Sequence, residues 1–274
     1  MIDLEFGKVI GDSFTYAKEG LVGHWVKWIV LIILGLLPVI PIIIGIVFGI
    51  VAASTAPEMF IPIIGIVIIF AIILSLPLFG YVVRIYRGET PAPEVNNWGS
   101  LFADGLKLFV ILLIYAIPVL ILAIALLASV ILAMIPYLPQ LMNSPQPMII
   151  PDTMMGLIEA AIFGVIIIIL VALIIWLIEA TAVVRFARTN SIGEAFNFGA
   201  IFARIGKIGV GSYIVALIIQ AIIVGIIMFI LNIIPYIGSI LVLIVAPIIL
   251  LFQGRYLCLL YDSAGEEAPA PATA

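Results

Sequence analysis

Long apolar runs, separated by short polar segments, make up most of the chain. Residues 208–252 contain no charged side chain, and this stretch is about twice the roughly 20 residues that one membrane-spanning helix needs. Asn232, Pro235 and Gly238 interrupt it and predict a turn between two helices. With four earlier runs, the pattern predicts six membrane-spanning helices, the first four over about 28–50, 61–83, 108–135 and 155–184.

Proline positions refine the prediction for individual spans. Pro38 and Pro41 stand inside the first run, and Pro118 stands inside the third. Because proline lacks a backbone N–H group and its ring collides with the preceding turn, we expect each to kink its helix. The segment 138–153 is rich in proline, so it is predicted to be a loop between the third and fourth spans.

The N-terminal segment 3–19 has an amphipathic pattern instead. Five apolar residues recur on one face at helical spacing: Phe6, Val9, Ile10, Phe14 and Ala17. This pattern predicts a helix that lies in the membrane interface with its apolar face toward the acyl chains. The alternative is a helix that packs on the protein.

Two polar joints resemble one another, which indicates internal repeats. In both, an apolar run ends in Val-Val-Arg-x-x-Arg, and an aromatic–Gly pair opens an amphipathic segment, over 80–107 and 181–207. The N-terminal helix is a third copy. We therefore predict an all-α integral membrane domain, 1–262, in which three parallel units each combine an interfacial helix with a transmembrane hairpin. The units cover about 1–88, 89–189 and 190–262.

The amphipathic segments carry two finer predictions. Ser191 and Glu194 have the spacing of a capping box, in which each side chain would bond to the other residue's backbone N–H. Leu101 and Ile201 stand at equivalent apolar positions of the two segments. We expect both side chains to lie at the acyl boundary.

Composition places the protein in a membrane. Hydrophobic residues make up 66% of the chain and charged residues 9%, against about 25% charged residues in soluble proteins, so lipid must cover most of the surface. The net charge is −4, but with the predicted spans all 11 basic residues fall on one side. The positive-inside rule then predicts a plasma membrane protein with both termini in the cytoplasm. The tail 263–274, small, acidic and rich in proline, is predicted to be disordered.

The chain carries little that indicates catalysis. Cys258 is the only cysteine and His24 the only histidine, so no disulfide and no His/Cys metal site is expected. Phosphate-binding loops, nucleophile motifs and paired carboxylates within the spans are missing from the sequence. We therefore expect no enzyme activity, no cofactor and no metal, and interpret His24 as a headgroup contact.

Glu179 is the most unusual polar residue, because it lies about 9 Å inside the predicted end of the fourth span. A carboxylate at that depth faces protein or a polar cavity. It is either a structural counter-ion of an arginine such as Arg84 or Arg255, or a group on a proton or cation route. The other candidates for an intramembrane polar site, which interhelical hydrogen bonds would also explain, are Gln220, Asn232 and Gln253.

Basic residues at the helix ends are candidates for binding lipid headgroups. The i, i+3 spacing within each Arg-x-x-Arg motif places both guanidinium groups on one helix face. Guanidinium groups suit phosphate, so an anionic headgroup is the expected ligand, although topological anchoring alone would also explain them. The candidates are Arg84, Arg87, Lys107, Arg185, Arg188, Lys207 and Arg255.

The first joint also carries a family resemblance. Residues 80–88, 93–107 and 114–118 have the patterns GYVVRIYRG, P-x-x-x-x-W-G-x-L-F-x-D-G-L-K and I-Y-x-I-P. Here the sequence resembles the mainly archaeal membrane family of domain of unknown function 4013. The resemblance implies an integral membrane protein of six spans, of archaeal origin, and it implies no activity.

These features favour a non-enzymatic membrane scaffold that interacts with lipids or with partner proteins. The alternative is a transporter or channel for a small or lipidic solute, with Glu179 in its pathway. The expected partners are membrane lipids with anionic headgroups on the cytoplasmic face, and no nucleic acid. Small-residue motifs at Gly45/Gly49 and Ala221/Gly225 allow close helix packing and leave a homo-oligomer or a membrane-protein partner open.

Overall fold

A computed structural model describes residues 5–137, 152–235 and 237–265, which form α-helices, short 3₁₀ turns and loops, with no strand. The described helices are α1 (Phe6–Leu21), α2 (Trp25–Leu36), α3 (Val39–Thr55), α4 (Phe60–Tyr86), α5 (Trp98–Met134), α6 (Asp152–Thr189), α7 (Phe198–Ile208), α8 (Val210–Ile233) and α9 (Ile237–Asp262). Most of the predicted loop 138–153 and the tail from 266 lie outside the described residues.

Six helical segments are long and apolar enough to cross a membrane, which confirms the predicted number. Three coincide with single helices, one lies within α6, one joins a short 3₁₀ turn to α4, and one combines α2 with α3. Their bounds are Trp25–Thr55, Pro57–Tyr86, Trp98–Met134, Met155–Thr189, Val210–Ile233 and Ile237–Asp262.

The two prolines of the first span produce one interruption, not two. Leu37 and Pro38 separate α2 from α3, as expected for a residue that cannot donate to the helix ladder. Pro41 falls in the first turn of α3, where backbone N–H groups have no intrahelical acceptor. The helix continues through it, so Pro41 does not interrupt the span as Pro38 does.

The two amphipathic segments that look alike in sequence end differently. The first is continuous with its span, because α5 runs without interruption from Trp98 to Met134. The second forms the separate helix α7, which stops at Gly209. Gly209 has a φ of 94°, a left-handed conformation that glycine adopts without a Cβ clash, whereas Phe109 stands at the matching position of α5.

The predicted turn between the last two spans is present. It separates α8 from α9 between Ile233 and Ile237, next to Pro235. Gly238 allows the close return of the chain, because a Cβ there would lie 2.1 Å from the carbonyl oxygen of Leu231. A side chain at this position would push the two helix ends apart.

The chain divides into two compact units. The discontinuous unit comprises Met1–Ile111 and Ala180–Ala274, and the central unit comprises Leu112–Glu179. In the discontinuous unit α9 packs against α1, α2, α4 and α8. In the central unit α5 and α6 are in contact, since a Cβ on Gly164 would lie 2.6 Å from Leu126 Cδ1.

Parts of the amphipathic faces are covered by protein where lipid was expected. The C-terminal half of α1 packs against α9, with Ala17 fully buried and the Phe14 ring 4.4 Å from that of Phe252. Leu101 and Ile201 are also fully buried. Their predicted place at the acyl boundary is therefore wrong, because periodicity identifies an apolar face but not what covers it.

Candidate functional site

Charged side chains near the ends of α4 and α6, and in the segments that follow them, form a set of contacts that we call the polar layer: Arg84, Arg87, Asp104, Lys107, Arg185, Arg188 and Glu194. Arg84, near the end of α4, is buried and donates to the loop that follows its own helix. Its acceptors are the carbonyl oxygens of Glu94 (2.9 Å) and Asn96 (2.8 Å), Asn96 Oδ1 (2.9 Å) and Ser100 Oγ (2.8 Å). The guanidinium group therefore holds the loop against α4.

At the second joint, Arg185 forms an ion pair with Glu194, with 2.7 Å between Nε and Oε2. This hydrogen-bonded arginine lowers the pKa of the Glu194 carboxyl group. The predicted capping box is wrong, because the carboxylate binds Arg185 and Ser191 makes no side-chain cap. Asn197 caps α7 instead, accepting a hydrogen bond from the backbone N–H of Ala200 at 3.2 Å.

Two further contacts join the first joint to the second. Asp104 is buried and lies 2.8 Å from Arg87 and 3.8 Å from Lys107. Lys107 Nζ also donates to Asn190 Oδ1 at 3.2 Å. The start of α5 is thereby connected to the segment that follows α6.

Arg188 connects the second joint to α4 and α9. It donates to the carbonyl oxygen of Tyr86 at 3.0 Å and to Asp262 at 2.8 Å. Gly88, with a φ of 83°, leaves room for it, since a Cβ there would lie 2.7 Å from Arg188 Nη2. A larger residue at Gly88 would displace this arginine.

The remaining basic candidates differ in exposure. Arg255 lies 5.3 Å from the centre of the Tyr16 ring, and the Tyr16 hydroxyl donates to the carbonyl oxygen of Glu89 at 3.1 Å. Burial raises the pKa of Tyr16 above its usual value. Lys207 is exposed at the end of α7. Among the seven headgroup candidates, Arg84 and Arg185 are therefore held inside the protein, whereas Arg188 and Lys207 are exposed.

The four candidates for an intramembrane polar site do not form one cluster. Gln220 donates to the carbonyl oxygen of Gln253 at 3.2 Å, which is the expected interhelical hydrogen bond. Asn232 donates to Met228 of its own helix at 2.7 Å and is exposed. Glu179 belongs to the central unit and is half-buried.

Both arginines named as partners of Glu179 make contacts within the discontinuous unit. Arg84 binds the loop after α4, and Arg255 lies over Tyr16. The central unit itself contains no Lys, Arg or His. Glu179 therefore has no counter-charge within its own unit.

The structure adds a charged pair that sequence reasoning missed. Lys27 is buried in α2, where its Nζ lies 2.6 Å from Glu94 Oε1 and donates to the carbonyl oxygen of Ala92 at 3.1 Å. In sequence Lys27 stands between Trp25 and Trp28 and resembles an ordinary interfacial anchor. Its partner lies 67 positions away, so no local signal indicates the pair. Among the described residues no group of three or more His, Cys, Asp or Glu is placed to hold a metal ion.

Comparison with known proteins supports the resemblance found in the sequence. The sequence model of a family described as protein of unknown function (DUF4013) matches residues 63–236, more than half of the chain. No curated protein and no solved structure matches the chain.

Proposed function

The chain belongs to the family of proteins of unknown function DUF4013 and has six membrane-compatible helices, and we propose that it is a non-enzymatic scaffold that interacts with lipids or partner proteins. In this proposal it resides in the plasma membrane with both termini in the cytoplasm. The polar layer then faces the cytoplasm, where headgroups and soluble partners are present.

The observation that carries the proposal is the internal pairing of the polar layer. Arg84 and Arg185 form hydrogen bonds with other residues of the chain, and Arg87 pairs with the buried Asp104. Groups that bind and release a solute must exchange partners, whereas groups fixed in this way hold loops in place. Such a layer suits a rigid platform at the membrane surface.

The same contacts support an arrangement in three tandem units. Arg84 and Arg185 occupy matching positions of the first two hairpins, and each binds the segment that follows its own helix. The third hairpin carries Arg255 in the last part of α9, where it lies over Tyr16 of the first amphipathic helix. The end of each hairpin would then hold an amphipathic segment, and the end of the third hairpin would hold the amphipathic helix of the first unit.

One observation favours transport as a second candidate function. Glu179 is a half-buried carboxylate within a span, and its unit contains no cation. Uncompensated carboxylates inside membranes often mark proton or cation routes. A transporter would use this group as the site that gains and loses a proton.

Flux through reconstituted liposomes separates the two functions. We expect a pH gradient across vesicles that contain the protein to decay no faster than in empty vesicles. Glu179→Gln should leave this rate unchanged, as should the control Glu159→Gln, which alters an exposed carboxylate in the same helix. A proton flux that disappears in a stably folded Glu179→Gln protein and persists in the control would contradict the scaffold function and establish a transporter.

A further inference from the structure

Two cavities of the discontinuous unit meet at Val30 of α2. The first has a volume of about 360 Å³ and is lined by His24, Lys27 and Glu94 together with apolar side chains of α2 and Val95. The second has a volume of about 290 Å³ and is lined by apolar side chains of α2, α4 and the start of α5. Val30 lines both, so the polar chamber and the apolar groove lie next to each other at this residue.

The polar chamber carries two opposite charges. The Lys27 side chain is 4% exposed, while that of Glu94 is 61% exposed and presents its carboxylate to the chamber. An ammonium group has three N–H donors, and Lys27 uses two of them on Glu94 and Ala92. Lys27 and Glu94 balance each other, so these two charged side chains of the lining together carry no net charge. A headgroup that carries both charges matches it, whereas a purely anionic one would approach Glu94 without compensation.

The apolar groove suits a hydrocarbon chain. It follows α2 from Val30 to Leu37, which is about 10 Å along the helix axis at 1.5 Å per residue. Its walls offer water no hydrogen-bond partner, because every lining side chain except the indole of Trp98 is fully apolar. Ile33 and Trp98 are half-exposed, so the groove opens sideways toward the surrounding lipid.

We propose that the chamber and the groove form one binding site for a zwitterionic phospholipid whose headgroup ends in an ammonium group. The ammonium group faces Glu94, the phosphate faces Lys27 and His24, and the first part of one acyl chain follows α2 beyond Val30. The site deepens the proposed function and rests on its lipid-interacting part. It differs from the expected headgroup site in its place and in the charge of its ligand, because it uses none of the helix-end arginines.

Competition between two phospholipids tests the headgroup. The full chain is reconstituted in equal amounts of phosphatidylethanolamine and phosphatidylglycerol and delipidated with detergent, and the retained lipid is counted by native mass spectrometry. We expect one phosphatidylethanolamine per chain and a preference of about tenfold, the ratio that corresponds to about 1.4 kcal/mol. Glu94→Gln should reduce this preference, because it removes the negative charge that faces the ammonium group. Equal retention of the two lipids by the wild type would overturn the assignment.

Filling variants test the location. Val30→Trp closes the junction of the two cavities, and Leu74→Trp fills the groove from α4. Each has an adjacent, more exposed control in the same helix, Ile29→Trp and Ile73→Trp. We expect both filling variants to lose the retained lipid and both controls to keep it. Two filling positions on different helices keep the test decisive if one variant fails to fold.

The outcomes separate the site from the broader function. Retained phospholipid that persists in a folded filling variant would overturn the site and leave the lipid-interacting function in place. A wild-type protein that retains neither phospholipid would overturn both the site and the lipid-interacting part of the proposed function. Loss of lipid from the filling variants alone supports the site.

Discussion

Gly80 of α4 and Gly105 of α5 bring two helix backbones into direct contact. A Cβ at Gly80 would lie 1.9 Å from the carbonyl oxygen of Leu101, and a Cβ at Gly105 would lie 1.9 Å from that of Leu76. Both clashes are with backbone atoms, which side-chain rotation cannot relieve. The crossing places Arg84, one helical turn beyond Gly80, beside the loop that it binds.

Gly80→Ala should therefore destabilise the protein although alanine favours helices. The two backbones must separate, and overpacking of this kind costs about 1–3 kcal/mol. Gly65→Ala is the matched control, because it lies in the same helix with nothing within 4 Å of its added Cβ. Thermal unfolding in detergent should show a lower Tm for Gly80→Ala than for the control. Equal Tm values would contradict the close crossing.

The buried carboxylate of Asp104 should be needed for stability because it pairs with Arg87 and Lys107. Asp104→Asn leaves two cations without their counter-charge, at a cost of about 1–3 kcal/mol. The double variant Asp104→Asn/Arg87→Gln should recover part of this loss, since it removes one stranded cation. Asp12→Asn, at an exposed position of α1, serves as the control in the same unfolding measurement. A double variant less stable than the single one would argue against the pair.

The ion pair between Arg185 and Glu194 predicts a specific pH dependence. The pKa of Glu194 is lower in the folded protein than the ordinary value of about 4.3 for an unfolded chain. Its stabilisation is therefore fully present above about pH 4.3 and is lost as the pH falls through the lower, folded pKa. Because Glu194 is partly exposed, we expect a contribution of less than about 1 kcal/mol.

Glu194→Gln should remove this contribution, so the difference in Tm from the wild type should shrink as the pH is lowered from 7 toward 3. The control Glu5→Gln alters an exposed carboxylate at the start of α1. A difference that stays constant over this pH range would show that the Glu194 charge does not stabilise the fold.

Cysteine labelling tests the predicted topology. Introduced cysteines within 54–58 and 138–153 should react with a membrane-impermeant reagent on intact cells, whereas positions within 88–96 and 189–197 should not. The native Cys258 is fully buried, so it should give little background. A cysteine at Thr90 should label after permeabilisation, which controls for its reactivity. Labelling of that cysteine on intact cells would reverse or break the predicted orientation.

Sequence reasoning predicted the spans well because the constraints on them are local. The length of an apolar run can be read directly from the sequence, and Pro38 and Pro235 stand at breaks between helices, as the missing N–H group of proline favours. Pro41 does not end a helix, because the effect of a proline depends on its position in the helix and α3 begins only two residues before it.

Sequence reasoning could not predict which side chains contact residues elsewhere in the chain. The arginines of the two joints were recognised as equivalent motifs. The sequence did not indicate that Arg84 would bind backbone carbonyls while Arg185 binds a carboxylate. The difference depends on how each loop folds back, which adjacent residues do not encode. For the same reason, Lys27 and Glu94 come into contact only when α2 packs against the loop before α5 in the discontinuous unit.

The sequence by itself thus determined the helical class, the six membrane-compatible segments and the family, because length, hydropathy and short motifs are properties of neighbouring residues. Only the tertiary structure decided what covers each apolar face and which charges meet. Leu101 has the same helical periodicity whether lipid or protein lies beside it, and packing through Gly80 and Gly105 is what buries it.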